Sequence, residues 1–81
     1  MRPIHEIADE INTTWSKLGK GVNYAAKPYL DAMRSLSSCS DAYGDDSGAS
    51  VVRYALGNMT SFRGEAARRL KAELKQHLPT Q

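Results

Sequence analysis

Several things that would announce a chemistry are nearly missing from this sequence. Cys39 is the single cysteine among 81 residues, so no intrachain disulfide can form, and an isolated thiol in a Ser-rich segment has no pairing logic for an intermolecular one. A reducing, intracellular compartment fits that usage. The two histidines, His5 and His77, stand near opposite ends of the chain, and neither lies within a motif that pairs a nucleophile with a base. One cysteine and two distant histidines also lack the paired ligand spacing of a zinc site. No apolar run approaches the roughly 18 residues that would span a membrane, and Glu6, Asp9 and Glu10 interrupt what would be the apolar core of a secretory signal. A large charge of one sign is missing too. The formal net charge of +2 is far from the balance of a dedicated histone-like protein. These absences leave a soluble, cytosolic chain with no enzymatic signature and no expected cofactor or metal.

What is present is helical periodicity. A chain of 81 residues is one small domain that buries roughly 60–65 % of the surface its unfolded form exposes, so a partner or a second copy would add useful burial. Ile4, Ile7, Ala8, Ile11, Trp15 and Leu18 keep a spacing of three or four, which predicts a helix over 3–18 with Trp15 as a core anchor; Gly19 and Gly21 end it. Pro3 suits the first turn, where a missing N–H costs nothing. A short second helix starts at Asn23 or at Lys27, with Tyr24, Tyr29, Leu30, Met33 and Leu36 as its apolar face. Residues 41–48 read as a turn, with Tyr43 as the side chain able to pin it to the core and Asp46 or Ser47 able to cap a third helix carrying Val51, Val52, Ala55, Leu56 and Met59. Gly57 and Asn58 close that helix, and Thr60 or Ser61 caps a fourth over 62–78. With no strand pattern in view, the expectation is an all-α bundle of four helices in a single domain spanning 1–81.

The fourth helix carries the most informative pattern. Phe62, Ala66, Leu70, Leu74 and Leu78 recur every fourth residue and, with Ala67, form a stripe that must be buried. Glu65, Arg69 and Glu73 follow one another at i, i+4 on one flank and neutralise one another, whereas Arg68, Lys71 and Lys75 gather on the other flank with no acid between them. With Arg63, these cations are the candidate contact residues. Three readings compete for them: an ordinary solvated face favoured by the helix dipole, a surface for a protein partner, or a phosphate-binding face. A helix after a tight turn at 57–60 could resemble the second helix of a helix-turn-helix, but Gln76 alone is suited to reading bases, so DNA binding would be weakly sequence-specific. Asp41, Asp45 and Asp46 make the middle turn a second candidate surface, acidic where the last helix is basic. That turn fails as a calcium loop, because the closing glutamate expected at its twelfth position is replaced by Val52. Gly19-Lys20-Gly21 lacks the strand, spacing and Ser/Thr of a phosphate loop and reads as a helix stop.

Three segments together carry a resemblance: Asn23-Tyr24-Ala25-Ala26-Lys27-Pro28-Tyr29-Leu30-Asp31-Ala32-Met33, Asp41-Ala42-Tyr43-Gly44, and the run from Ser61-Phe62-Arg63-Gly64-Glu65 through Lys75. They resemble small helical proteins of unknown function encoded by phages, prophages and other mobile elements. Phe62 stands where that group often has a tryptophan, a departure that keeps a core role. The resemblance brings no activity and no functional residue. It implies a context in which small proteins without catalytic machinery are frequently inhibitors or adaptors of host complexes, anti-CRISPR proteins among them. The leading expectation is therefore a non-enzymatic protein that engages a host protein complex. The alternatives are a small DNA-binding regulator and a self-assembling homodimer that buries spare apolar surface such as Met33 or Tyr54.

Overall fold

In the computed structural model, which describes residues 2–19, 21–44 and 46–79, the predicted apolar spacing resolves into four helices: α1 (Ile4–Trp15), α2 (Lys27–Met33), α3 (Gly48–Gly57) and α4 (Glu65–His77). The fold is all-α. Ile4, Ile7, Ile11 and Trp15 bring one face of α1 onto Leu30, Met33, Val52, Phe62, Leu70 and Leu74, and every buried side chain among the described residues is apolar. Each buried Val, Leu, Ile, Met or Phe side chain among them contributes about 1.5–3 kcal/mol of transfer free energy. The helices alternate in direction. One end of the bundle holds the start of α1, where the N–H groups of Ile4 and His5 donate to the carbonyls of Ser37 and Leu36 at 2.9 Å each. Those carbonyls, supplied by the chain after α2, satisfy donors that Pro3 cannot cap. α1 and α4 share the most extensive helix–helix interface.

The turn between α2 and α3 contains a feature absent from the sequence reading. β1 (Ala42–Tyr43) and β2 (Asp46–Ser47) pair antiparallel, Ala42 opposite Ser47 and Tyr43 opposite Asp46, with Gly44 at φ +61° in the reversal. Two residues per strand are too few to show alternation. Ser47 does cap α3, accepting from the Ser50 N–H at 3.1 Å. The next residue, Gly48, lies so close to the preceding chain that a Cβ would stand 2.8 Å from the Asp41 carbonyl and 2.9 Å from that of Ser38. The hairpin is thus folded tightly onto the start of α3. The side chain of Tyr43, the expected pin, lies outside the described residues.

Other boundaries moved for identifiable reasons. α1 ends at Trp15, earlier than its spacing suggests, and Leu18 follows in a turn with 42 % of its surface exposed. Asn23 does cap, but it caps a turn: its side chain accepts from the Ala25 N–H at 2.9 Å, and α2 begins at Lys27 with Pro28 in its first turn. Tyr24 consequently precedes the helix whose apolar face it was expected to join, and is 90 % exposed. α4 begins at Glu65 behind Gly64 at φ +110°, so neither Thr60 nor Ser61 caps it, and Phe62 belongs to the connection instead of the helix. Met33 is fully buried and offers nothing to a dimer interface, while Tyr54, 58 % exposed, lies against Tyr29 at 5.8 Å between ring centroids.

Candidate binding surface at one end of the bundle

The surface is organised by the connection between α3 and α4. Within it, Met59 and Phe62 are both fully buried, and the Phe62 ring stacks on Trp15 at 5.0 Å with 23° between the planes. Two apolar anchors so close together pull the connection over the end of the core and strand its carbonyl groups away from any ladder. The Phe62 N–H reaches the Met59 carbonyl at 2.9 Å, and Lys71 supplies the further donors. Its Nζ gives hydrogen bonds of 2.7 Å to the carbonyls of both Met59 and Phe62, and the ammonium lies 5.8 Å from the centre of the Phe62 ring. Partial burial pushes the Lys71 ammonium below the ordinary lysine range, and the positive charges of Lys75 and Arg63 push in the same direction. That mutual repulsion places three cations in one electrostatic neighbourhood.

The remaining candidates are exposed. Arg63 is held at its base by a 3.3 Å bond from Nε to the Thr60 carbonyl, which leaves its outer guanidinium nitrogens facing away from the backbone contact. Arg68 and Lys75 lie exposed on α4. Among the described residues, Arg63, Arg68 and Lys75 form no ion pair, whereas Arg2, Arg34 and Arg69 all do. Arg63, Arg68 and Lys71 line a shallow groove of about 250 Å³ with Phe62, Gly64 and Ala67. α4 has no side-chain cap, so its open N–H groups add positive potential there, partly offset by Glu65 in the first turn.

A second, wider groove of about 720 Å³ adjoins the first at Arg63. Trp15 forms part of its lining, and Leu18, Val22 and Tyr24 add apolar surface beside Asn23 and Ser61. Gly19 and Gly21, both at positive φ, carry the chain around this end, in keeping with their reading as a helix stop; Lys20 between them lies outside the described residues. Sequence reasoning missed this groove because it assigned Leu18 and Tyr24 to buried helix faces. The signal was there in Gly19 and Gly21, which stand between the two residues and keep both helical patterns from running through them.

On the opposite flank, the i, i+4 charges are part of a larger arrangement. Arg2 grips Glu73 with two bonds of 2.8 Å and reaches Glu10 at 2.8 Å, while Arg69 pairs with Glu73 at 3.1 Å and also with Glu10. The guanidinium groups hold both carboxyls below the usual carboxylate range, Arg69 chiefly for Glu10 and Arg2 chiefly for Glu73. His77 donates to the Arg2 carbonyl at 2.6 Å. This ring ties α1 to α4 and, among the described residues, leaves Glu65 as the unpaired member of that i, i+4 series.

The acidic candidates lie at the end of the bundle where the chain after α2 meets the start of α1, away from Arg63 and Arg68, whereas Lys75, two residues before His77, lies toward that same end. Asp41 is engaged locally: its carboxylate accepts from the N–H groups of Ser37 at 2.8 Å and Ser38 at 3.3 Å, and its carbonyl accepts from Gly48 at 2.7 Å. Asp46 is exposed in β2, and Asp45 lies outside the described residues. The structure therefore gathers Arg63, Arg68 and Lys71 around one groove, sets Lys75 further along α4, and keeps Asp41 and Asp46 apart from that groove. Among the described residues no group of three or more His, Cys, Asp or Glu side chains is placed to hold a metal ion, and no helix is long and apolar enough to cross a membrane. No family model, no curated protein and no solved structure matches this chain.

Proposed function

We propose that this protein is a non-enzymatic binding protein that engages an acidic surface of a protein complex through Arg63, Arg68 and Lys75. One observation carries the reading: Arg63 and Arg68 are exposed, form no ion pair among the described residues and line one groove with Lys71, whereas Arg2, Arg34 and Arg69 are paired with carboxylates and Lys17, Lys27 and Arg53, also without an ion pair there, lie outside that groove. Charges left open at a surface are available to complement a partner and to steer its approach. Lys71 belongs to the scaffold of the site through its two carbonyl contacts. An inhibitor or adaptor of a host complex, of the anti-CRISPR kind, is the version that the resemblance to mobile-element proteins supports.

A DNA-binding regulator built on α3 and α4 has the same cations in its favour. Against it, the connection runs over seven residues, 58–64, between Gly57 and Glu65, longer than the three- or four-residue turn of a helix-turn-helix, and α4 opens with an acid. The two readings separate in one experiment. Immobilised protein and its Arg63→Glu/Arg68→Glu/Lys75→Glu variant are exposed to bacterial lysate with and without nuclease treatment, with helical circular dichroism confirming that the variant is folded. A protein partner retained by the parent and lost by the variant is the expected result. Retention by the variant refutes the site. Loss of all capture on nuclease treatment, with DNA affinity that falls steeply as salt rises, transfers the same residues to nucleic acid.

A further inference from the structure

The large apolar side chains exposed among the described residues are Leu18, Tyr24 and Tyr54, and two of these three line the wide groove beside Trp15. That concentration is unusual for a surface whose neighbouring groove is cationic. The two grooves meet at Arg63, so a compact ligand fills one of them, whereas an extended chain reaches both. We infer that the joined grooves receive an extended acidic peptide segment with one bulky aliphatic side chain, seated against Trp15 between Leu18 and Tyr24 while flanking carboxylates meet Arg63 and Arg68. The inference rests on the binding role proposed above and names the occupant of its surface.

Charge complementarity selects the acidic character. Arg63, fixed at Nε by the Thr60 carbonyl, keeps its two outer nitrogens for a carboxylate, a geometry that favours a planar acceptor. Shape selects the anchor. The groove volume of about 720 Å³ lies in the range of sites that enclose a ligand group, and its lining offers the aliphatic Leu18 and Val22 with Tyr24 as the one exposed aromatic, Trp15 being buried, which suits an aliphatic side chain better than a run of stacked bases. Ser61 and Asn23 place polar groups at the edge, where an extended backbone would find partners.

Trp15 is the only tryptophan and forms part of the groove lining from a buried position, so any change in emission is assigned to that one residue. The probe is a short tryptophan-free peptide of glutamates with one central leucine, titrated into the intact protein while Trp15 emission and the amide resonances of Leu18, Tyr24 and Arg63 are followed. Saturable changes at all of these sites are expected. Tyr24→Ser and Leu18→Ser, both at exposed positions, should weaken binding by about tenfold or more. The same peptide with alanine for leucine should bind the parent correspondingly less well and be insensitive to both substitutions. Arg63→Glu should weaken both peptides. Should Leu18→Ser fail to fold, Tyr24→Ser carries the test, because that side chain touches little of the core.

Absence of binding by the leucine peptide overturns the inference, as does equal binding of the alanine peptide or tighter binding of oligothymidine at the same resonances. If the peptide fails while a captured protein still depends on Arg68 and Lys75, the groove assignment falls and the binding role stands. If both fail, both fall.

Discussion

Lys71 shows how much a single side chain can do out of sight of its charge. It bridges the carbonyls of Met59 and Phe62, so its removal leaves the Phe62 carbonyl without a donor among the described residues, while the Met59 carbonyl keeps the Phe62 N–H at 2.9 Å. Such groups cost about 1–3 kcal/mol when left unsatisfied. Lys71→Ala should accordingly lower the urea midpoint by an amount in that range, whereas Arg68→Ala, one turn away and unpaired, should stay within about 0.5 kcal/mol of the parent. Equal effects from the two would show that the bridge is not made in solution. The contrast also bounds what the sequence could reveal. Arg68, Lys71 and Lys75 are alike in composition and helical phase, and nothing local separates the structural cation from the free ones. The acceptors that define Lys71 lie nine and twelve residues earlier in the chain, on a connection whose path is set by the burial of Phe62. Asp41 is the parallel case among the acids, its carboxylate taken by the backbone of 37 and 38.

At the level of elements, periodicity identified every helix and misplaced several ends. Ser47 capping α3 was legible because a serine just ahead of an apolar run has a mechanism attached to it. The start of α4 was not, because Phe62 sits four residues before Ala66 and so satisfies the helical stripe while reaching the core from outside the helix. Gly64 is what separates them. At φ +110° and ψ 179° it occupies a region essentially restricted to glycine, and it redirects the chain into α4. Gly64→Ala meets no neighbouring atom within 4 Å, so its cost is purely conformational, about 1–3 kcal/mol. Thermal unfolding of that variant should show the loss with the helical signal intact. A variant as stable as the parent would mean that the connection has another path. The exposed rim of the candidate groove was hidden by the same habit of extending a periodic pattern: Leu18 and Tyr24 keep helical spacing on either side of a glycine turn that no helix crosses.

For the molecule as a whole, the ring formed by Arg2, Glu10, Arg69 and Glu73 makes stability depend on pH in a defined direction. Both carboxyls are held below their usual range in the folded state, so the unfolded chain binds protons first as acid is added. The contribution is complete above the ordinary glutamate value of about 4.3 and is lost as pH falls through the folded values beneath it. Melting temperature should therefore be level from neutrality to about pH 5 with respect to these groups and then decline. Glu73→Gln should flatten the decline and lower the neutral-pH value. An unchanged acid limb in that variant would assign the pH dependence elsewhere. Because the four groups are partly open to solvent, moderate salt should shrink the effect.

The packing of α1 against α4 has a consequence in time. α1 closes at Trp15 and α4 at His77, so at synthesis rates of roughly 5–20 residues per second the first helix exists for about 3–12 s before its main partner is finished. During that interval Ile4, Ile7, Ile11 and Trp15 have α2 and then α3 to rest on, but the side of the core supplied by Leu70 and Leu74 is still missing. The core is therefore closed only once α4 has emerged, and until then the apolar faces it covers stay open.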